Sequence, residues 1–299
     1  MFAQYGSWRW AFGVLVILTA AMIALVPVAL PRRDAGTASA DRLGIPGASL
    51  VLLGTAALVV SLAGIPDDAR ATAGLLTLGA AIVVVFGFVD RRAAVAVLPP
   101  STYGPGPLKW IYLTLGLLMA ATMVDMYVPL FGQRLAHLTP VLAGFFGAVL
   151  SVGWTGGELT SASLRNPRTI ARMVALAPLV MAVGLALGAF TLRDTVSTPL
   201  AVLWAVALVI TGTGIGIAWP HLSAWAMGRV ADPAEGPAAA AAINTVQLMC
   251  GAFGAGLAGV VVNLTDRGDG SAARWLFGVF AVIIGAGVIA SHRAGRDPL

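Results

Sequence analysis

The sequence predicts an all-α integral membrane protein of about nine transmembrane helices. Three observations carry that reading. Apolar residues make up 59% of the 299-residue chain and charged residues only 10%, whereas a soluble chain has about 45–50% and about 25%. The mean hydropathy is +0.90. Charges and prolines gather in short gaps between long apolar runs. This composition excludes a soluble enzyme, a disordered chain and a secreted disulfide scaffold. Cys250 is the single cysteine, which excludes an intramolecular disulfide and a CxxC metal site.

A bilayer core about 30 Å thick takes roughly 20 apolar residues in a helix. Nine runs approach or exceed that length: 10–31, 44–64, 71–89, 108–131, 138–160, 169–192, 199–227, 237–263 and 274–291. Pro31-Arg32-Arg33-Asp34 closes the first, Pro66-Asp67-Asp68 the second and Asp90-Arg91-Arg92 the third. Later gaps hold Asn166-Pro167-Arg168, Asp232-Pro233 and Arg267-Gly268-Asp269. Helices are expected because hydrocarbon offers an open sheet edge no partner. The first run is long for a signal-peptide core, and no A-x-A site precedes a soluble domain.

Alternate gaps divide the basic residues unevenly. Arg32, Arg33, Arg42, Arg91, Arg92, Lys109, Arg165, Arg168, Arg172, Arg229, Arg293 and Arg296 fall on one face. Arg9, Arg70, Arg134, Arg193, Arg267 and Arg274 fall on the other. The richer face is expected in the cytoplasm, which places the C-terminus inside a plasma membrane and the N-terminus outside. The net charge of +5 therefore reads as topology, with no nucleic-acid partner. An outside N-terminus that opens directly into a span suggests a chain that begins within a larger architecture.

Several polar side chains fall inside the apolar runs. Asp125 is the most informative, because a carboxylate in hydrocarbon costs several kcal/mol and marks a functional site by default. It is the candidate for proton coupling; a wet vestibule near Gln133 and Arg134 is the other reading. His221, next to Pro220, either relays protons, meets a substrate or bonds a carbonyl that the proline frees. Asn244 and Gln247 share a helix face and either glue helices together or line a substrate cavity. Trp154 and Trp204 sit deep enough to stack on a flat or cationic ligand or to pack in the core. Trp8, Trp10, Trp110, Trp219, Trp225 and Trp275 fall near run ends, as interfacial anchors do. Gly212, Gly214 and Gly216, and Gly251, Gly254, Gly256 and Gly259, are expected to let helices approach closely. His137 and His292 fall in gaps, so no metal cluster is expected. No nucleophile–base pair, P-loop or HExxH motif points to an enzyme.

Four motifs occur in an order that resembles a known family. They are Gly6-Ser7-Trp8-Arg9-Trp10-Ala11-Phe12 followed by Pro27; Val128-Pro129-Leu130-Phe131-Gly132-Gln133 with Thr139-Pro140-Val141-Leu142-Ala143-Gly144; Gly212-Thr213-Gly214-Ile215-Gly216 with Pro220; and Gly236 to Gly251 with Asn244 and Gln247. Together they resemble the drug:proton antiporters of the major facilitator superfamily, most of all the branch with 14 helices. The resemblance implies a partial major facilitator fold. Residues 1–40 would hold the last helix of the N-terminal half, 41–106 a two-helix linker hairpin, and 107–299 the six-helix C-terminal half. Family helices 1 to 5, with their signature loop, would lie outside this chain, either on a longer polypeptide or on a second chain.

The resemblance further implies proton-driven export of small amphipathic compounds, with no cofactor beyond the proton gradient. Its partners would be the lipid bilayer and a small-molecule substrate. Glu158, Arg165 and Arg168 resemble a degenerate copy of the family's cytoplasmic loop, whose charge pairs latch helix ends. A short basic loop that only sets topology is the plainer alternative. A rival reading of the whole chain is a non-transporting membrane remnant or scaffold that binds partner helices.

Overall fold

A computed structural model describes residues 9–29, 45–66, 68–265 and 268–296. The gap Pro31-Arg32-Arg33-Asp34, Arg42, Asp67, Arg267 and the opening Gly6-Ser7-Trp8 lie outside the described residues. The described residues form helices joined by turns, with no strand among them. In chain order these are α1 (Arg9–Ala29), α2 (Gly47–Leu62), α3 (Ala69–Asp90), α4 (Leu108–Thr122), α5 (Val128–Leu135), α6 (Pro140–Gly147), α7 (Val149–Ala162), α8 (Pro167–Thr191), α9 (Thr198–Gly228), α10 (Gly236–Leu264), α11 (Asp269–Ala286) and α12 (Val288–Ala294).

Seven segments are long and apolar enough to cross a membrane: Ala69–Asp90, Leu108–Leu135, Pro140–Ala162, Pro167–Thr191, Thr198–Gly228, Pro233–Leu264 and Asp269–Ala294. Two shorter apolar helices, Phe12–Leu25 and Gly47–Leu62, occupy the first two expected runs. The second run is trimmed at both ends. Pro46 caps α2, and a turn at Ala63–Ile65 closes it before Pro66.

Proline chemistry sets the internal breaks and starts. Pro129 has no N–H to continue the α-helical ladder, so the chain tightens into a 3₁₀ turn over Met123–Tyr127 between α4 and α5. Pro140, Pro167 and Pro199 sit in the first turns of α6, α8 and α9, where their missing N–H is no loss. Asn166 caps α8 by accepting from the Arg168 and Thr169 amides.

α9 is the hub. It packs against α7 on one side and α8 on another, and it also meets α4 and α10. α8 carries the packing on to α11 and α12, and α4 joins α10 and α12. α2 and α3 pair as a hairpin that rests on α10. At the centre, Trp204 is fully buried between Phe146, at 4.7 Å between ring centroids, and Phe277, at 6.1 Å. Trp204 is therefore core and meets no ligand-accessible surface.

The α7–α9 seam is closer than ordinary helix packing. Gly153 and Gly157 on α7 face Gly212 and Gly216 on α9. A Cβ at Gly153 would strike the Val209 carbonyl, and one at Gly212 the Leu150 carbonyl. On another face of α9, a Cβ at Gly214 would meet Met181 N at 2.7 Å, so α8 is held equally close. Lipid tails do not drive apolar helices together, so close backbone contact supplies the association.

The ends of the bundle sort the charges. Arg229 donates to the Ala294 carbonyl at 2.7 Å and covers Trp225 at 4.4 Å. Arg293 covers Trp110 at 4.6 Å, beside Lys109. These residues share one end, as alternating gaps require. Arg134, in the last turn of α5, pairs with Asp269 in the first turn of α11 at 2.9 Å. Both charges suit their helix ends.

The glycine seam yields a direct test. Gly212→Ala must push α7 and α9 apart, and is expected to cost at least about 3 kcal/mol, the upper end of overpacking effects. Gly156→Ala on the same α7 meets nothing within 4 Å, and should be neutral or gain about 0.5–1 kcal/mol. Thermal unfolding in detergent separates the two; equal melting temperatures would refute the seam.

Candidate functional site

Asp125 lies at the middle of the 3₁₀ turn between α4 and α5. Its carbonyl accepts from Val128 N, because Pro129 cannot donate. The residue is half-buried, and its Oδ1 is buried with no hydrogen-bond partner among the described residues. α10 covers this turn. A Cβ at Gly251 would lie 3.8 Å from Met123 Sδ, and one at Gly259 3.6 Å from the Tyr127 hydroxyl. An unpaired carboxylate oxygen held under a neighbouring helix is a place where a proton or a cation gains a strong partner.

Asn244 and Gln247 stand further along α10. Asn244 is exposed and Gln247 half-buried, and neither side chain forms a hydrogen bond among the described residues. Asp125 is level with the stretch between Gly251 and Gly259. At 1.5 Å per residue, Asn244 lies roughly 15 Å from that level along the axis. The carboxylate and the amides therefore share a helix pair without touching.

The other candidates gather on the α7–α9 seam. Trp154 and Trp219 face each other at 5.7 Å between ring centroids, tilted by 59°. The sequence reads Trp219 as an interfacial anchor; the structure makes it the partner of Trp154. His221 Nε2 lies 3.1 Å from the Ser161 carbonyl. That carbonyl ends α7 and is not the one Pro220 frees. The freed carbonyl, on Gly216, is approached instead by the Ser161 hydroxyl at 3.5 Å. Ser161 thus links both: its hydroxyl serves α9 and its carbonyl meets α9's histidine. His292, expected in a gap, belongs to α12.

Glu158 is half-buried one turn beyond Trp154, while Arg165 and Arg168 are exposed. No ion pair joins Glu158 to either arginine among the described residues. No group of three or more potential metal-ligating side chains occurs among them.

One site is absent from the sequence reading. Asp90, read there as part of a basic gap, is 1% exposed. Its carboxylate accepts from Val97 N at 2.7 Å, Leu98 N at 3.1 Å and the Tyr103 hydroxyl at 2.8 Å. Nearby, Glu235 at the start of α10 accepts from Ser101 N at 3.3 Å and from the Ser101 hydroxyl. Two carboxylates thus bind the 97–103 strap to the end of α3 and the start of α10. Burial pushes the Tyr103 hydroxyl well above the usual phenol range, and the bond to Asp90 and its charge push it the same way. Tyr103 therefore stays a donor at any physiological pH. One signal was present: an Asp at a helix C-terminus is misplaced against the macrodipole unless other donors hold it.

The strap makes a graded prediction. Tyr103→Phe removes one bond to a charged acceptor, about 1.5–3 kcal/mol. Asp90→Ala strands three donors and should destabilise more. Melting temperatures in detergent should fall in that order. If Asp90→Ala melts with the parent protein, the carboxylate does not hold the strap.

A bundle of apolar helices, seven of its segments long enough to cross a bilayer, defines a polytopic helical membrane protein. The chain belongs to the Major Facilitator Superfamily, whose family model matches residues 1–259. It is 59% identical over 298 residues to the "Probable multidrug-efflux transporter Rv1634" of Mycobacterium tuberculosis (strain ATCC 25618 / H37Rv). The "Probable multidrug-efflux transporter MT1670" of strain CDC 1551 / Oshkosh shows the same identity. Each match covers 98% of this chain and 63% of the relative. The "Puromycin resistance protein pur8" of Streptomyces alboniger is 31% identical over 287 residues, 91% of this chain and 56% of that protein. The chain thus spans less than two thirds of the length of the curated relatives it matches.

Proposed function

We propose that the protein exports small amphipathic or drug-like compounds in exchange for protons, as part of a 14-helix drug:proton antiporter in the plasma membrane. The observation that carries the coupling is Asp125: a carboxylate oxygen buried without a partner, at a break in a membrane span. A proton satisfies that oxygen, and losing the proton restores a charge that the site tolerates only with water or a cation near it. The names of the relatives support the substrate class.

On this reading residues 1–40 close the N-terminal half, 41–106 form the linker hairpin and 107–299 the C-terminal half. The pairing of α2 with α3 supports the hairpin. On the same reading the facing half would come from further residues of the polypeptide or from a second chain, which the greater length of the relatives supports. Asn244, Gln247, Trp154 and His221 would then look onto the cavity between the halves, which rock to expose it alternately. Glu158, Arg165 and Arg168 would meet their charge partners across that interface, with the C-terminus in the cytoplasm. Neither a metal nor an organic cofactor is required.

The test is ethidium efflux driven by an imposed pH gradient, in vesicles that contain the assembled transporter. Asp125→Asn should lower proton-driven efflux to about a tenth or less while substrate still binds. Asn244→Ala and Gln247→Ala should shift the range of substrates and leave the pH dependence in place. Unchanged efflux in Asp125→Asn would remove Asp125 from the coupling.

A further inference from the structure

An apolar cavity of about 350 Å³ lies between the hairpin and α10, and its lining includes none of Asp125, Asn244, Gln247, Trp154 and His221. Leu53 of α2, Val83 and Phe86 of α3, Val97 of the strap, and Val246 and Cys250 of α10 line it. The Thr245 hydroxyl on its wall is already bonded to the Ala241 carbonyl at 3.2 Å. Water entering this space would find almost no partner, whereas a far smaller apolar cavity, of about 150 Å³, stays dry and takes up benzene. Val83 remains exposed, and so do Val84, Val85 and Phe88 beside it. The cavity therefore opens sideways along the lipid-facing side of α3.

Basic residues follow just beyond the lining, at the end of α3. The strap residues Val97 and Leu98 bind Asp90 at the end of α3, and Arg91 and Arg92 follow at once. Both arginines are exposed. Arg92 donates weakly to the Phe88 carbonyl at 3.4 Å. Arg91's side chain has no hydrogen-bond or ion-pair partner among the described residues. Neither arginine forms an ion pair with Asp90 or Glu235 among the described residues; Asp90 accepts from Val97, Leu98 and Tyr103, and Glu235 from Ser101.

We propose that this cavity holds one acyl chain of an anionic phospholipid whose phosphate rests on Arg91 and Arg92. Apolar lining at membrane depth selects a hydrocarbon chain. A basic pair at the span end selects an anionic headgroup over a zwitterionic one. The lipid would fill the seam between hairpin and α10 that the protein itself leaves open. The hairpin's attachment to the bundle would then depend on lipid composition.

Cys250 reports occupancy, because it lines the cavity and is the chain's single cysteine. The full chain in detergent micelles is alkylated with N-ethylmaleimide and followed by intact mass. Adding dioleoyl phosphatidylglycerol should slow alkylation about fivefold at a few times its Kd, while dioleoyl phosphatidylcholine has little effect. Arg91→Gln with Arg92→Gln should erase the difference between the lipids and leave the rate in phosphatidylcholine at the parent value. Val83→Phe, which fills the rim and keeps both arginines, should also lose the phosphatidylglycerol effect. Equal protection by the two lipids would overturn the proposal. So would protection by tetraphenylphosphonium with none by phosphatidylglycerol, which would make the cavity a substrate pocket. A thiol that never reacts would mean that protein covers it, and would overturn the proposal as well.

Discussion

Hydrocarbon offers no hydrogen-bond partner, and the rest of this structure depends on that constraint. Each backbone amide and carbonyl in a span must be satisfied by the span itself or by a neighbour. Helices do this along their length, so the difficulty falls on the breaks. Pro129 releases the Asp125 carbonyl, and the chain answers locally by tightening into a 3₁₀ turn. Pro220 releases the Gly216 carbonyl, and there the answer comes from another helix, through the Ser161 hydroxyl. The second solution works only because α7 and α9 are close enough for a serine to reach across.

That closeness is the work of small residues. Gly153 and Gly157 against Gly212 and Gly216 bring two backbones into contact, and Gly214 does the same toward α8. α9 has glycines facing two neighbours, so it cannot move from either without losing packing. The Trp154–Trp219 pair and the His221–Ser161 contact are built on this fixed seam. The hairpin meets α10 in two ways: closely where Gly256 faces Ser61 and Gly64 faces Gly259, and across an unfilled apolar space beside Leu53 and Val246.

The fold was largely legible in the sequence, since span length and composition are local properties. Runs such as 169–192 and 199–227 match α8 and α9 closely, because a proline in the first helical turn marks where each helix begins. The glycines of α9 were readable as packing residues. Their partners on α7 were not, since nothing within the 138–160 run says which helix Gly153 and Gly157 meet. Trp204 and Trp219 show the same limit. A tryptophan's depth in a run is visible, but whether it meets lipid, ligand or Phe277 depends on the neighbouring helix. Asp125 was legible because an intramembrane carboxylate stands out against apolar neighbours. Asp90 was hidden because it precedes two arginines, and because its donors, Val97, Leu98 and Tyr103, are disposed by a strap with no periodicity to read.

Those two aspartates carry the same side chain and opposite loads. Asp90 is buried with three donors, so its carboxylate is fully occupied in holding the strap. Asp125 is less buried, yet one of its oxygens has no donor among the described residues. A group that the fold has left unsatisfied can gain a proton or a cation with no bond to break. Burial alone would have ranked Asp90 as the more unusual residue. Counting donors reverses that order, and it is the count of donors that separates a carboxylate built into the structure from one that the described residues leave unsatisfied.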